Sequence, residues 1–338
     1  IAVEIAKLRC FLSLVVDEIV LDNEENRGIE PLPNLEFKFV AANTLIGLPE
    51  AASQSAFGVT ETIEKLRELR ENYLRSFGAD KVQIENEFRA TQQKLFKENV
   101  QWAVADTLVK QLTEWDPFCY ESCGWFDPGW MFGIEDGFDV VIANPPHGAK
   151  LDKETMDYVS RSEWRIGRNS NSAILFMKRG LLLTRPFMTI TYIIPKSFCF
   201  SDSWILAREL IAEELKTLLD VSMGFENVLL EQVVFVAKRK EKLPLVFTGR
   251  MLLSGELERS ANTDKSTYRQ FGIFTTGLTH EEIALGNKIK EANILFTDVC
   301  NIKRGQDIQN QLTKQRWDID IFRCKSIGRY FMKPATEG

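Results

Sequence analysis

Metal-binding side chains are scarce in this chain. Two histidines, His147 and His280, and six cysteines at 10, 119, 123, 199, 300 and 324 are spread over 338 residues without a CxxC pair. Structural zinc needs four nitrogen or sulfur ligands at paired spacing, and no second pair follows Cys119 and Cys123, so no metal site is expected. Cysteines this dispersed in a long chain read as reduced thiols, and the expected compartment is the cytoplasm. No apolar run is long enough to span a bilayer and no signal peptide opens the chain, so no membrane partner is expected. Internal repeats, low-complexity segments and a PD…(D/E)xK nuclease cluster are all missing. An overall excess of positive charge is missing too: 42 Lys and Arg stand against 48 Asp and Glu, a net charge of −6. Phosphate affinity follows local charge, however, and residues 301–333 hold eight Lys or Arg against three Asp. That local excess suits a DNA-facing surface or a solvated basic face equally well.

What is present is a globular composition, 44% hydrophobic and 11% aromatic, long enough for two domains. Ile1, Ile5, Leu8, Leu12 and Val15 recur at helical spacing, which predicts a buried amphipathic helix over residues 1–20. A proline-punctuated turn and an apolar strand, FKFVAAN, follow and end at Asn43. From about 58 to 115 opposite charges three or four residues apart predict two long exposed helices joined near Gly78, a helical insertion between sheet elements. Then strands and helices alternate. Strands are expected at 138–143, 188–194, 219–222 and 232–238, and helices at 172–183 and 204–219. The fold class is therefore α/β with a mostly parallel sheet, the uninterrupted run FDVVIA being its central strand. The alternation fades after Pro244, which puts a domain boundary near 245: residues 1–245 form one domain and 246–338 begin another.

In open α/β sheets ligands bind beyond the carboxyl ends of the strands. FDVVIA runs straight into Asn144-Pro145-Pro146-His147. An exocyclic amine on a heteroaromatic ring is a poor nucleophile because its lone pair is delocalised into the ring. An Asn side-chain oxygen and a main-chain carbonyl, each accepting one of its hydrogens, would pull the nitrogen toward tetrahedral geometry and free that lone pair. Both acceptors must be preorganised, and Pro145 and Pro146 fix φ and offer no N–H to a helix or ladder. The plain alternative is a strand ending in a proline turn.

FDVVIANPPHGAKL resembles motif IV of amino-methyltransferases, and its surroundings resemble the type IIG restriction–modification enzymes and their phage-defence relatives. IEPLPNLEFKFVAANTLIG, GWFDPGWMFGIEDGFDVVIANPP, SAILFMKRGLLL and TYIIPKSFCFSDSWILARELI are similar to successive segments of their catalytic core. VCNIKRGQDIQNQL and CKSIGRYFMKP look like the opening of their target-recognition region. The resemblance implies a Rossmann-like S-adenosylmethionine-dependent methyltransferase fold acting on adenine N6 in double-stranded DNA, with the recognition region beginning after 245. It implies that Asn144 and the Pro145 carbonyl hold the target amine, that Pro146 shapes the loop, and that His147 stacks on a base flipped from the duplex. Asn43 falls where such enzymes meet the adenine ring of S-adenosylmethionine, and Asn144 also faces that cofactor; Asn43 reads equally as an Asx turn. Phe225 matches an aromatic packed on the flipped base, and reads equally as a core Phe. Asp139 opens the motif strand and has a structural reading only.

Two departures stand out. The fourth motif position is normally Tyr, Phe or Trp, and an imidazole offers a smaller face that takes up charge on protonation. The glycine-rich cofactor turn and its acidic partner are expected before Ile1. These departures keep a second reading in view, a non-catalytic DNA-binding or assembly module on a methyltransferase fold. A third is methylation of another amine, such as cytosine N4 or a protein Gln.

Overall fold

The computed structural model describes residues 1–23, 25–29, 31–48, 57–98, 107–119, 121–146, 148, 150–161, 171–222, 230–252, 254–291, 294, 296–299, 327–328 and 331–332. The chain divides into two compact units, Ile1–His280 and Glu281–Gly338. Among the described residues no helix is long and apolar enough to cross a membrane.

The first unit is organised on a six-stranded sheet. Its strands are Phe138–Ala143 (β1), Thr184–Pro195 (β2), Leu215–Ser222 (β3), Gln232–Lys238 (β4), Leu245–Met251 (β5) and Leu257–Asp264 (β6). They lie in the order β1-β2-β4-β3-β5-β6. β1 is parallel to β2 and β3 to β5, whereas β4 is antiparallel to both of its neighbours and β6 to β5. The sheet is thus mixed rather than mostly parallel. The cause is loop length: only residues 223–231 separate β3 from β4, and a parallel return takes a dozen residues or more. β5 and β6 carry the sheet past the boundary expected near 245, and the compact unit runs to His280.

Among the described residues β1 pairs only with β2, so the run expected at the centre of the sheet lies at its edge. Val140 and Ile142 are 53% and 77% exposed there. Continuous apolarity records which faces a strand can bury, not how many strands flank it.

The helices are Ala2–Asp17 (α1), Phe57–Arg75 (α2), Gly78–Glu98 (α3), Thr107–Glu114 (α4), Pro128–Phe132 (α5), Lys153–Arg161 (α6), Ala173–Leu183 (α7), Ile205–Ile211 (α8) and Lys265–Phe271 (α9). α1 forms as the spacing predicts, but Ile5, Leu8, Leu12 and Val15 are all exposed, and Lys7 is its one buried residue. FKFVAAN is not a strand: residues 36–39 turn, and Ala42 alone bridges to Cys123. Its Phe37 instead meets Tyr73, Phe88, Trp115 and Phe118 edge-on, at centroid distances of 5.5–6.0 Å. That contact belongs to a core shared by the helical insertion and the approach to β1, with Leu69, Leu95, Trp125 and Met131 in it. A second core fills the space between sheet and helices, with Ile174, Ile190, Ile194, Trp204, Leu218 and Phe235 at its centre.

A helix, α10, spans His280–Glu291, beginning on the last residue of the first unit, and in the second unit another, α11, spans Phe296–Val299. Ile327–Gly328 (β7) and Phe331–Met332 (β8) pair antiparallel. The rest of the basic stretch at 301–333 lies outside the described residues.

Candidate active site

The route into the site begins at α5. Asp127 caps it by accepting the Trp130 N–H, Pro128 occupies its first turn, and Gly133 closes it at φ +73°. Arg70 of α2 donates to the Gly129 and Trp130 carbonyls at 2.9 and 2.5 Å, fastening the insertion to this helix. Gly137 then leads into β1 at φ +89°, where a Cβ would sit 2.7 Å from the Leu183 carbonyl oxygen. Only glycine allows β1 to start this close to β2.

β1 ends with Ala143 in register with Tyr192, so the Asn144 loop leaves from the carboxyl edge, which β1, β2, β3 and β5 share. Asn144 and Pro146 are exposed and Pro145 between them is buried, so the loop is anchored by a proline while the Asn faces outward. The start of α7 meets the loop from the other side. Ser172 Oγ donates to the Pro146 carbonyl at 3.3 Å, and Asn171 Oδ1 accepts the Gly148 N–H at 3.4 Å and the Ala173 N–H at 3.0 Å. α7 itself is held tightly on β2. A Cβ on Gly180 would lie 2.1 Å from the Tyr192 hydroxyl, which donates to the Phe176 carbonyl at 2.7 Å.

Asn43 lies in an Asx turn, accepting the Leu45 N–H at 3.2 Å and donating to Thr155 Oγ1 at 2.7 Å. Thr155 passes its own hydroxyl hydrogen to Asp152 at 3.0 Å, and Asp152 also accepts the Thr155 N–H at 2.7 Å. Those two bonds hold the Asp152 carboxyl below its usual range. The chain fixes which end of the Asn43 amide points at Thr155. It leaves that amide a second lone pair and a second N–H for a ligand, a donor set that fits the edge of an adenine ring. Arg179 ties the same turn to α7, donating to the Thr44 and Phe126 carbonyls at 2.8 and 2.9 Å. Leu45, Val159 and Leu175 pack beneath, so the Asn43 turn, α6 and α7 share a small core.

Farther along the carboxyl edge, Lys196 follows β2 and bridges Asp220 at 2.8 Å and Glu231 at 3.0 Å. Burial acts to lower the Lys196 pKa, but its two carboxylate hydrogen bonds outweigh this and the net shift is upward. Ser222 ends β3 at φ +50°, its N–H on Asp220 at 2.8 Å. Asp139 of β1 pairs with Arg185 of β2, joining the starts of the two strands. His147 and Phe225 lie outside the described residues.

The sequence reading missed Thr155, Asp152, Asn171, Ser172, Arg179 and Lys196. Asp152 and the Asn171-Ser172 pair each precede an apolar-periodic segment and carry the signature of a helix start. Nothing in their spacing tells that the same side chains also reach the Asn43 turn and the Asn144 loop.

No curated protein matches the chain. Among solved structures, the type IIG restriction endonuclease BpuSI is similar at 15% identity over 39% of this chain and 20% of its own, with a TM-score of 0.33. The methyltransferase subunit of a type I restriction-modification system from Streptococcus thermophilus is similar at 16% identity over 55% of this chain and 39% of its own, TM-score 0.32. A putative class I S-adenosylmethionine-dependent methyltransferase from Listeria monocytogenes is similar at 15% identity over 49% of this chain and 56% of its own, TM-score 0.29. In each case the chain spans less than two thirds of the other protein's length. The family model of the Eco57I restriction-modification methylase matches residues 1–224, the greater part of the chain, and the chain belongs to that family.

Proposed function

We propose that this protein methylates the N6 amine of adenine in double-stranded DNA with S-adenosylmethionine as donor, as the modification activity of a restriction-modification or phage-defence enzyme. The observation that carries the reading is Asn144-Pro145-Pro146 leaving the carboxyl edge of β1, with the Asn exposed and the following proline buried. In this reading Asn144 Oδ1 and the Pro145 carbonyl each accept one hydrogen of the target amine, and the two prolines keep both acceptors still while the nitrogen pyramidalises. S-adenosylmethionine, when bound, supplies a methyl group on a positively charged sulfur. Asn43 holds the adenine ring of that cofactor through the hydrogen-bonding capacity that Thr155 and Leu45 leave over, and Asn144 faces it from β1. His147 stacks on the flipped base and Phe225 packs against it. The basic stretch at 301–333 belongs to the DNA target-recognition region.

The experiment is tritiated methyl transfer from S-adenosylmethionine to duplex DNA by the full-length protein, followed by nucleoside digestion. The expected product is N6-methyladenine, and Asn144→Ala lowers the rate at least about 100-fold, as loss of a preorganised transition-state contact does. Label on cytosine N4 or on protein would move the substrate to the third reading above. An Asn144→Ala variant as active as the parent would refute the role given to Asn144.

A further inference from the structure

The peptide groups on either side of position 147 are both bonded to the head of α7. On one side the Pro146 carbonyl takes the Ser172 hydroxyl at 3.3 Å; on the other the Gly148 N–H reaches Asn171 Oδ1 at 3.4 Å. The same Asn171 oxygen accepts the Ala173 N–H and so helps start the helix. Ser172 is buried and its bond to Pro146 part-buried, so water competes less for it, while the Gly148–Asn171 bond lies exposed at the surface. α7 is a rigid base for them: it is seated on β2 through Gly180 and tied to the Asn43 turn through Arg179. Prolines fix φ at 145 and 146 but leave the direction of the loop after Pro146 undetermined. Gly148, at φ +71° with open space where a Cβ would be, adds no stiffness of its own.

We infer that Asn171 and Ser172 are positioning residues, a clasp that sets the direction of the Asn144-Pro145-Pro146 loop from the start of α7. The inference rests on the proposed methyl-transfer reading for its catalytic consequence, though not for the clasp itself. Neither residue touches the reacting atoms. They act by limiting how far the residues around the motif's fourth position can swing.

The test uses the full-length protein and four variants: Asn171→Ala, Ser172→Ala, and the conservative Asn171→Asp and Ser172→Thr, which keep an acceptor and a hydroxyl. Two readouts are taken, hydrogen exchange of the peptide covering 144–150 and single-turnover methyl transfer at saturating DNA. Each alanine variant is expected to speed exchange in that peptide at least about fivefold while β2 and β4 exchange as in the parent. Single-turnover transfer is expected to fall about 10- to 100-fold with duplex affinity within about threefold, as small misplacements of reacting groups do. The Asp and Thr variants should stay within about threefold of the parent in both readouts. Unchanged exchange in both alanine variants overturns the clasp. So does an equal loss in the conservative variants, or a loss spread over the whole sheet, which marks a merely structural role. Should the parent transfer no methyl group to DNA, the proposed function fails by itself, and the exchange data alone decide the clasp.

Discussion

Asp152 carries both hydrogen bonds at the entrance of α6, from the Thr155 N–H and hydroxyl, and through Thr155 it orients Asn43. These bonds favour the ionised carboxylate and hold its pKa below the usual 3.8. A folded-state pKa below the unfolded one stabilises at any pH above the unfolded value, and the gain disappears as pH falls through the folded value. The Asn43–Thr155–Asp152 chain is therefore expected to loosen only in acid below that range. Following the Thr155 amide by NMR during acid titration checks this, with Asp152→Asn expected to remove the transition; an unaltered titration in the variant would contradict the assignment. A second residue-scale prediction concerns the motif's fourth position. His147→Tyr, which restores the larger ring usual there, is expected to keep or raise methyl transfer. A loss of several orders of magnitude in the same tritium measurement would mean the imidazole has a task of its own. At this scale the place of Asn144, Pro145 and Pro146 at the end of β1 was legible, because the strand and the proline turn are local to residues 138–146. The Asn43 turn was half legible: its Asx geometry was one of two readings, but its bond to Thr155 spans 112 positions.

Between elements, the most consequential single side chain is Arg70. It is buried, and its guanidinium donates to two carbonyls of α5, of which Gly129 also accepts the Gly133 N–H. Arg70→Met is expected to destabilise the protein by about 2–4 kcal/mol, since buried acceptors lose a charged donor. Lys65→Met, also on α2, which breaks an exposed pair with Glu87 of α3, should cost about 0–1 kcal/mol in the same denaturant titration. Equal costs would show that Arg70 is not the fastening between the insertion and the approach to β1. Element type was readable wherever one period dominated, as in the helices at 57–98 and the strand at 232–238. It was misread at β3. Leu215 and Leu218 are three apart and both fully buried, a helical spacing. A register shift between Leu215 and Thr217 puts both on one face of a strand instead. The helix expected to run to 219 accordingly ends at Ile211. FKFVAAN failed for the opposite reason: its apolar residues were bound for an aromatic cluster rather than a ladder, and composition does not distinguish the two.

For the whole molecule, the sheet and the insertion are two cores in one compact unit, joined where α5 leads into β1 and where α7 lies over the Asn43 turn. Cys199 sits in the first of these cores, just after β2, where burial pushes its thiol up from the usual 9.0 to about 12. At pH 8 only about one folded molecule in ten thousand carries the thiolate there, against about a tenth of unfolded ones. Cys10 and Cys119 are only half-buried. A thiol reagent should therefore modify Cys10 and Cys119 promptly and Cys199 only when the core opens. Mass-resolved labelling would check this, and prompt modification of Cys199 in the native protein would count against the packing described. The same thiol then acts as a clock: its slow labelling rate measures how often the floor beneath the carboxyl edge opens, and cofactor or DNA that binds only the closed form must slow it in proportion to occupancy.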